Sequence, residues 1–187
     1  MNDEAAFDLK RVVAECLAGR ETAISKLIRH YHGLVFGLCL KMLGQRQDAE
    51  DATQETFARV VRSLGQWDSS RRFEPWLLTV AGNRCRTKMA KRMSQAGTQV
   101  LEAEPAADES SSEGLILEEV QAGVAMLRPE YREVFTLFHF EHRSFEEIAE
   151  TLQVPYATAK TWCHRARREL ASILDRRGNL SKELGKI

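Results

Sequence analysis

Apolar residues along this chain recur at spacings of three and four, the period of an amphipathic helix, and the strict alternation of a half-buried strand does not occur. The spacing predicts a first helix over 7–17, with Leu9, Val12, Val13, Cys16 and Leu17 on one side and Gly19 as its stop. A second runs over 23–43, with Ile24, Leu27, Ile28, Tyr31, Leu34, Val35, Leu38 and Met42 inward and Gly44 closing it. A third covers 48–64 through Ala52, Phe57, Val60, Val61 and Leu64. Residues 65–72 read as a loop, and a fourth helix opens at Glu74 and Pro75, then continues through Trp76, Leu77, Val80 and Ala81 into a basic end. The period resumes at Leu115, Leu117, Val120, Val124 and Leu127. Arg128 and Pro129 begin a further helix through Tyr131, Val134, Phe135 and Phe138.

The sharpest pattern lies at 144–170. Ser144 followed by Glu147 is a capping box, and Ile148, Ala149 and Leu152 give the helix behind it an apolar stripe. Gln153 and Val154 make a short turn, and Pro155 suits the first turn of the next helix. There Ala159, Cys163, Ala166 and Leu170 form one buried side, while Ala157, Thr161, His164 and Arg168 point away. Lys160, Arg165 and Arg167 flank that outer side; residues 155–168 hold four bases and no acid. A helix buried on one side and cationic on the other fits a DNA major groove, although a solvated surface helix can have the same composition.

Net charge is zero, but it is unevenly spread: +5 over residues 1–93, −7 over 94–122 and +2 over 123–187. Residues 94–114 contain Ala, Ser, Glu and Gln with one Pro, no aromatic and no base, a composition that cannot bury enough apolar surface to fold. The expected fold is therefore all-α. One helical domain covers 1–93, a flexible acidic linker 94–114, a helix-turn-helix domain 115–177 and a polar tail 178–187. Cys16, Cys39, Cys85 and Cys163 lie far apart on apolar helix faces, as small core residues of a reducing compartment would. No run reaches membrane-spanning length, and the chain opens on acidic residues where a signal peptide would be basic. A cytoplasmic protein without membrane insertion is expected.

Two further stretches carry candidate chemistry. Trp67, Phe73 and Trp76 stand close to Arg71 and Arg72, and residues 82–92 hold five bases without an acid. Aromatic rings beside cations suit single-stranded nucleic acid, because unpaired bases stack while cations hold phosphates. Trp76 reads as core and Trp67, in the loop beside Asp68, as a stacking residue. Asp51, Gln54 and Glu55 share one helix side at i, i+3 and i+4; that anionic patch would repel DNA and is either solvated or a protein-docking surface. Catalysis and metal binding find little support. His139 and His142 lack further ligands, and the adjacent Cys163 and His164 cannot share a helix face. No metal or cofactor is expected.

The motifs DAEDATQETF at 48–57, FEPWLLTVAGN at 73–83, LRPEYREVF at 127–135 and RARREL at 165–170 occur in an order that resembles the extracytoplasmic-function (ECF) group of bacterial RNA polymerase sigma factors. The resemblance spans about residues 8–172. It implies a region 2 domain and a region 4 helix-turn-helix domain, with no enzymatic activity. The implied partners are core RNA polymerase, promoter DNA in duplex and single-stranded form, and an anti-sigma factor. Asp51, Gln54 and Glu55 would meet the coiled coil of the polymerase's largest subunit. The loop with Trp67, Arg71, Arg72 and Phe73 would capture a flipped base of the minus-ten element, which Asn83, Arg84, Lys88 and Arg92 would line. On the minus-thirty-five element, Thr158 and Arg165 would hold phosphates while Lys160, Thr161 and His164 face base edges, with Arg168 on the same side. The chain departs from the family pattern at Thr87, Gln153, Ala157 and Trp162. Gln153 replaces the usual turn glycine, so it either adopts that backbone at a cost of about 1 kcal/mol or changes the turn slightly, and Trp162 is expected to pack against the domain rather than touch DNA. A stand-alone helix-turn-helix regulator would explain residues 144–170 but neither the anionic helix nor the loop aromatics.

Overall fold

The computed structural model describes residues 7–95 and 112–177, and every regular element among them is helical. In chain order these are α1 (Leu9–Leu17), α2 (Glu21–Leu43), α3 (Arg46–Ser63), α4 (Phe73–Gln95), α5 (Ser112–Met126), α6 (Pro129–His139), α7 (Phe145–Leu152) and α8 (Tyr156–Arg177). A short 3-10 turn, Leu64–Gln66, extends α3 toward the loop. Of the expected linker, residues 94–95 end α4 and 112–114 begin α5; residues 96–111 lie outside the described residues, as does the tail 178–187.

The helix boundaries follow from local chemistry. Asp8 caps α1, its carboxylate accepting from Arg11 N at 3.2 Å. Gly44 closes α2 in the left-handed region at φ 76°, where a side chain would be strained, and its N–H reaches Leu40 O at 2.8 Å. Arg92, near the end of α4, donates to Leu43 O at 3.2 Å and to Gln45 Oε1 at 2.7 Å, and pairs with Asp48. It thereby satisfies a carbonyl at the end of α2 and fixes the turn into α3.

The helices α1–α4 pack as one bundle around Leu27, Val35, Leu38, Met42, Val60 and Leu77. A second bundle forms from α5–α8 around Leu127, Val134, Leu137, Ile148 and Ala166. The two are not separate bodies here. Helix α4 packs on α6 and α7, α2 packs on α5 and α6, and the buried side chains of both bundles join into one cluster. All four cysteines are free and buried within it.

Candidate nucleic-acid interface

The helix-turn-helix is built as its sequence pattern predicts. Ser144 Oγ accepts from Glu147 N at 3.3 Å, while the Glu147 carboxylate accepts from Ser144 N at 2.9 Å, the reciprocal capping box. Gln153 takes the left-handed conformation at φ 55°, and Val154 N closes onto Ala149 O at 3.0 Å. The side chain thus accepts the backbone that a glycine would adopt freely. Ala159, Cys163, Ala166 and Leu170 face inward. Lys160, Thr161, His164, Arg165 and Arg168 are exposed along the outer side, and Thr158 is half-buried at its start. Trp162 packs against the core. Arg167 is exposed but bends toward α6: it donates to His139 Nε2 at 3.0 Å and lies 5.1 Å from the centre of the Phe138 ring. Burial, and then the charge of Arg167, hold the His139 imidazole below its ordinary value.

The loop between α3 and α4 is tied by Asp68, whose carboxylate accepts from Ser70 N at 2.9 Å and Ser70 Oγ at 2.7 Å. Those bonds, the hydroxyl's first, hold its carboxyl below the usual range. Arg71 and Arg72 are exposed. The aromatic residues face the other way. Phe73 is 3% exposed and packs on Tyr31 and Trp76 with ring centres 5.1 and 5.4 Å away. Trp67 is half-buried, edge-on to Phe73 at 5.2 Å, with its Nε1 buried and unpartnered among the described residues. From these positions Phe73 cannot stack on a base, and Trp67 presents only part of its ring. The short loop turns its rings down because the top of the α1–α4 bundle offers apolar surface, an outcome that composition alone does not reveal.

The basic end of α4 is largely paired. Lys88 lies 3.3 Å from Asp51 and 4.0 Å from Glu55, so it bridges two residues of the anionic helix. Asn83 is exposed and accepts from Arg86 through its side-chain oxygen at 2.5 Å. Arg84 is half-buried with Nε unpartnered among the described residues. Arg92 is spent on the α2–α3 turn, and burial lowers its pKa. Arg86, which the sequence reading did not single out, pairs with Glu133 on α6.

Next to these acids on α3, Gln54 lines a groove of about 670 Å³ between α2 and α3. Ile24, Ile28, Phe36 and Phe57 form its apolar lining, with Arg46 and Glu50 at its edge. Ile24 and Ile28, inward by their spacing, are half-buried because they wall this groove. Asp51 and Glu55 lie beside it, each more than half exposed.

Residues 27–95 match the Sigma-70 region 2 family and residues 117–170 the Sigma-70, region 4 family. This chain is an RNA polymerase sigma factor of the ECF group. It is 28% identical over 183 residues to ECF RNA polymerase sigma factor SigW of Bacillus subtilis, covering 89% of this chain and 96% of that one. It is 31% identical over 157 residues to ECF RNA polymerase sigma factor SigE of Mycolicibacterium smegmatis, covering 80% and 60%. The fold is shared with the solved sigma factor RpoE in complex with the anti-sigma factor NepR from Bartonella quintana, at TM-score 0.66 and 21% identity over 81% of this chain and 96% of that one. It is shared too with CnrH in complex with the cytosolic domain of CnrY, at TM-score 0.65 and 23% identity over 88% and 96%.

In these terms α2–α4 form region 2, α5–α8 carry region 4, and polar contacts join them. Arg143 pairs with Glu74 at 2.6 Å and Arg72 with Glu147. The Glu147 carboxyl loses stability as an anion through burial, but Ser144 N–H, Arg72 and Arg143 outweigh that and hold it below its ordinary value. Thr79 Oγ1 donates to Thr151 O at 2.6 Å, and Lys41 pairs with Glu141 at 2.8 Å. No described helix is long and apolar enough to cross a membrane.

Proposed function

We propose that this sigma factor binds core RNA polymerase and directs it to promoters that its two regions read together. Asp51, Gln54 and Glu55 dock on the coiled coil of the polymerase's largest subunit, and the α2–α3 groove beside Gln54 takes apolar side chains from it. Trp67, Arg71 and Arg72 then receive an unpaired base of the minus-ten element, with Phe73 supporting Trp67 from beneath. Asn83, Arg84, Lys88 and Arg92 follow that strand along α4. Stacking contributes about 1–3 kcal/mol per base, which offsets an unstacking cost of a few kcal/mol per step. Region 4 reads the minus-thirty-five element as duplex. Thr158, Arg165 and Arg168 hold phosphates, and Lys160, Thr161 and His164 face base edges.

One observation carries this reading: the exposed cationic side of α8 stands over a buried Ala159–Cys163–Ala166–Leu170 seam, which fixes what that helix can present to DNA. The sigma factor supplies binding energy and no catalytic step; the polymerase makes the bonds. It acts in the cytoplasm and is restrained by an anti-sigma factor, the kind of partner with which RpoE and CnrH were solved. Co-elution with purified core polymerase tests the docking assignment. The wild-type chain should elute with core, and the Asp51→Ala, Gln54→Ala, Glu55→Ala triple variant should elute alone. Undiminished co-elution of the variant would overturn the assignment.

A further inference from the structure

Two of the four buried cysteines, far apart in sequence, meet in the core of region 2. Cys39 lies on α2 and Cys85 on α4, and both are 0% exposed. The register of the two helices brings them together. Tyr31 of α2 rests on Phe73 at the start of α4, with ring centres 5.1 Å apart. At the other end, Arg92 of α4 reaches Leu43 O at 3.2 Å. The helices therefore run side by side in the same direction. Between these points one guanidinium nitrogen of Arg132 spans the seam, 2.6 Å from Met42 O and 3.8 Å from Met89 Sδ. Cys39 stands one turn before Met42, and Cys85 one turn before Met89. At that level the two thiols are hydrogen-bonded to each other.

The pair is chemically asymmetric. Cys85 donates its thiol hydrogen to the Cys39 sulfur. That bond holds the Cys39 thiol below its ordinary value against the opposing effect of burial, and the charge of Lys88, one turn beyond Cys85, adds to it. The same bond, and then burial, push Cys85 up. Cys39 is thus the sulfur that more readily becomes a thiolate, the reactive form, and Cys85 is the thiol already aimed at it. Cys16 and Cys163 are buried as well, but burial pushes both up, and neither pairs with a cysteine among the described residues. The docking patch, the base loop and the outer side of α8 make no use of Cys39 or Cys85.

We propose that Cys39 and Cys85 are a dithiol that hydrogen peroxide closes to a disulfide, a reversible staple between α2 and α4 inside region 2. Cys39, as thiolate, attacks one peroxide oxygen. The O–O bond breaks, the sulfur becomes a sulfenic acid, and the departing hydroxide takes up the proton that Cys39 released and leaves as water. The Cys85 sulfur then attacks the Cys39 sulfur. The S–S bond forms, the S–O bond breaks, and the hydroxyl leaves with the Cys85 proton as a second water. Two electrons pass from the sulfurs to peroxide, and a small dithiol reverses the link by exchange. Neither sulfur is exposed, so peroxide reaches them only when the helices open locally, and closure is slow. The staple encloses α3 and the base loop between its ends. It stands whether or not the promoter assignments above do.

The test treats the full chain, freed of reductant, with hydrogen peroxide. Thiols are then counted in denaturant with a maleimide, and the intact protein is weighed by mass spectrometry. The oxidised chain should lose two of its four reactive thiols and the mass of two hydrogens. Proteolysis should release one linked pair of peptides, containing Cys39 and Cys85, and dithiothreitol should restore all four thiols. The melting temperature of the oxidised wild type should rise by about 5–10 °C. Cys39→Ala and Cys85→Ala, each checked for helicity by circular dichroism, should both abolish the link. The Cys16→Ala, Cys163→Ala double variant should keep it. Survival of all four thiols, a link between other cysteines, or sulfinic acid on single cysteines in its place would each overturn the proposal. A link that forms only with loss of helicity or a lower melting temperature would overturn its place in the folded bundle.

Discussion

The two helices proposed to read DNA are set up in opposite ways. Helix α8 buries Ala159, Cys163, Ala166 and Leu170 on one side and leaves Lys160, Thr161, His164, Arg165 and Arg168 in solvent. Helix α4 buries Leu77, Leu78, Ala81 and Cys85 and commits Arg86, Lys88 and Arg92 to acids or carbonyls of the protein itself. Cations that await duplex DNA can stay hydrated at little cost, because duplex phosphates are always on offer. Cations that hold a melted strand are needed only once the duplex is open. Paired within the protein, these cations are less available for the sequence-independent phosphate contact that is strong at low salt.

The largest expected effect removes the support shared by both helices. Ile148 is fully buried in α7, which props α8 from below and carries Glu147 and Thr151 against region 2. Ile148→Ala should cost about 2–5 kcal/mol in stability and weaken duplex binding as well. A loss below about 1 kcal/mol by denaturant titration would show that α7 is not the common prop.

The next effect divides the outer side of α8. Lys160→Ala and Thr161→Ala should each change the ranking of minus-thirty-five sequences by about 1–3 kcal/mol, whereas Arg165→Ala should weaken all sequences alike and lower the salt dependence. Uniform losses from all three would contradict a split between base-reading and phosphate-holding residues.

Smaller effects come from the turn and the seam behind α8. Gln153→Gly relieves a left-handed side chain and should stabilise the protein by about 0.5 kcal/mol, less than the strain because glycine loses more entropy on folding. An unchanged or lower melting temperature would refute that. His139 titrates below its ordinary value of 6.5 in the folded protein. Its contribution is therefore complete above 6.5 and is lost as pH falls through the depressed folded value, because the unfolded chain then binds the proton first. His139→Gln should flatten that slope in melting curves taken across mildly acid pH.

Much of region 4 was legible along the chain because its signals are local. The Ser144–Glu147 box, the αL position at Gln153 and the Ala159–Cys163–Ala166–Leu170 seam each arise within one or two turns, where helical geometry dictates neighbours. Region 2 was legible as helices but less so as a site. Trp67 and Phe73 lie in and beside a short loop where either side of the ring could face solvent, and only the packing of Tyr31 and Trp76 decides it. The contact between the regions was illegible. Gly82 and Glu133 are unremarkable on their own helices and acquire meaning only when α6 crosses α4. The acidic composition of 94–114 points to a flexible linker between two domains and says nothing of how they pack on each other.

The central claim is that this chain brings polymerase to a start site, using one helix for duplex DNA and another for the melted strand. Run-off transcription with purified core polymerase on sheared DNA from the source genome tests it most directly. The account predicts discrete transcripts whose upstream sequences share two spaced elements, and their loss with the Asp51, Gln54 and Glu55 triple variant. Transcripts no different from those of core polymerase alone would contradict it.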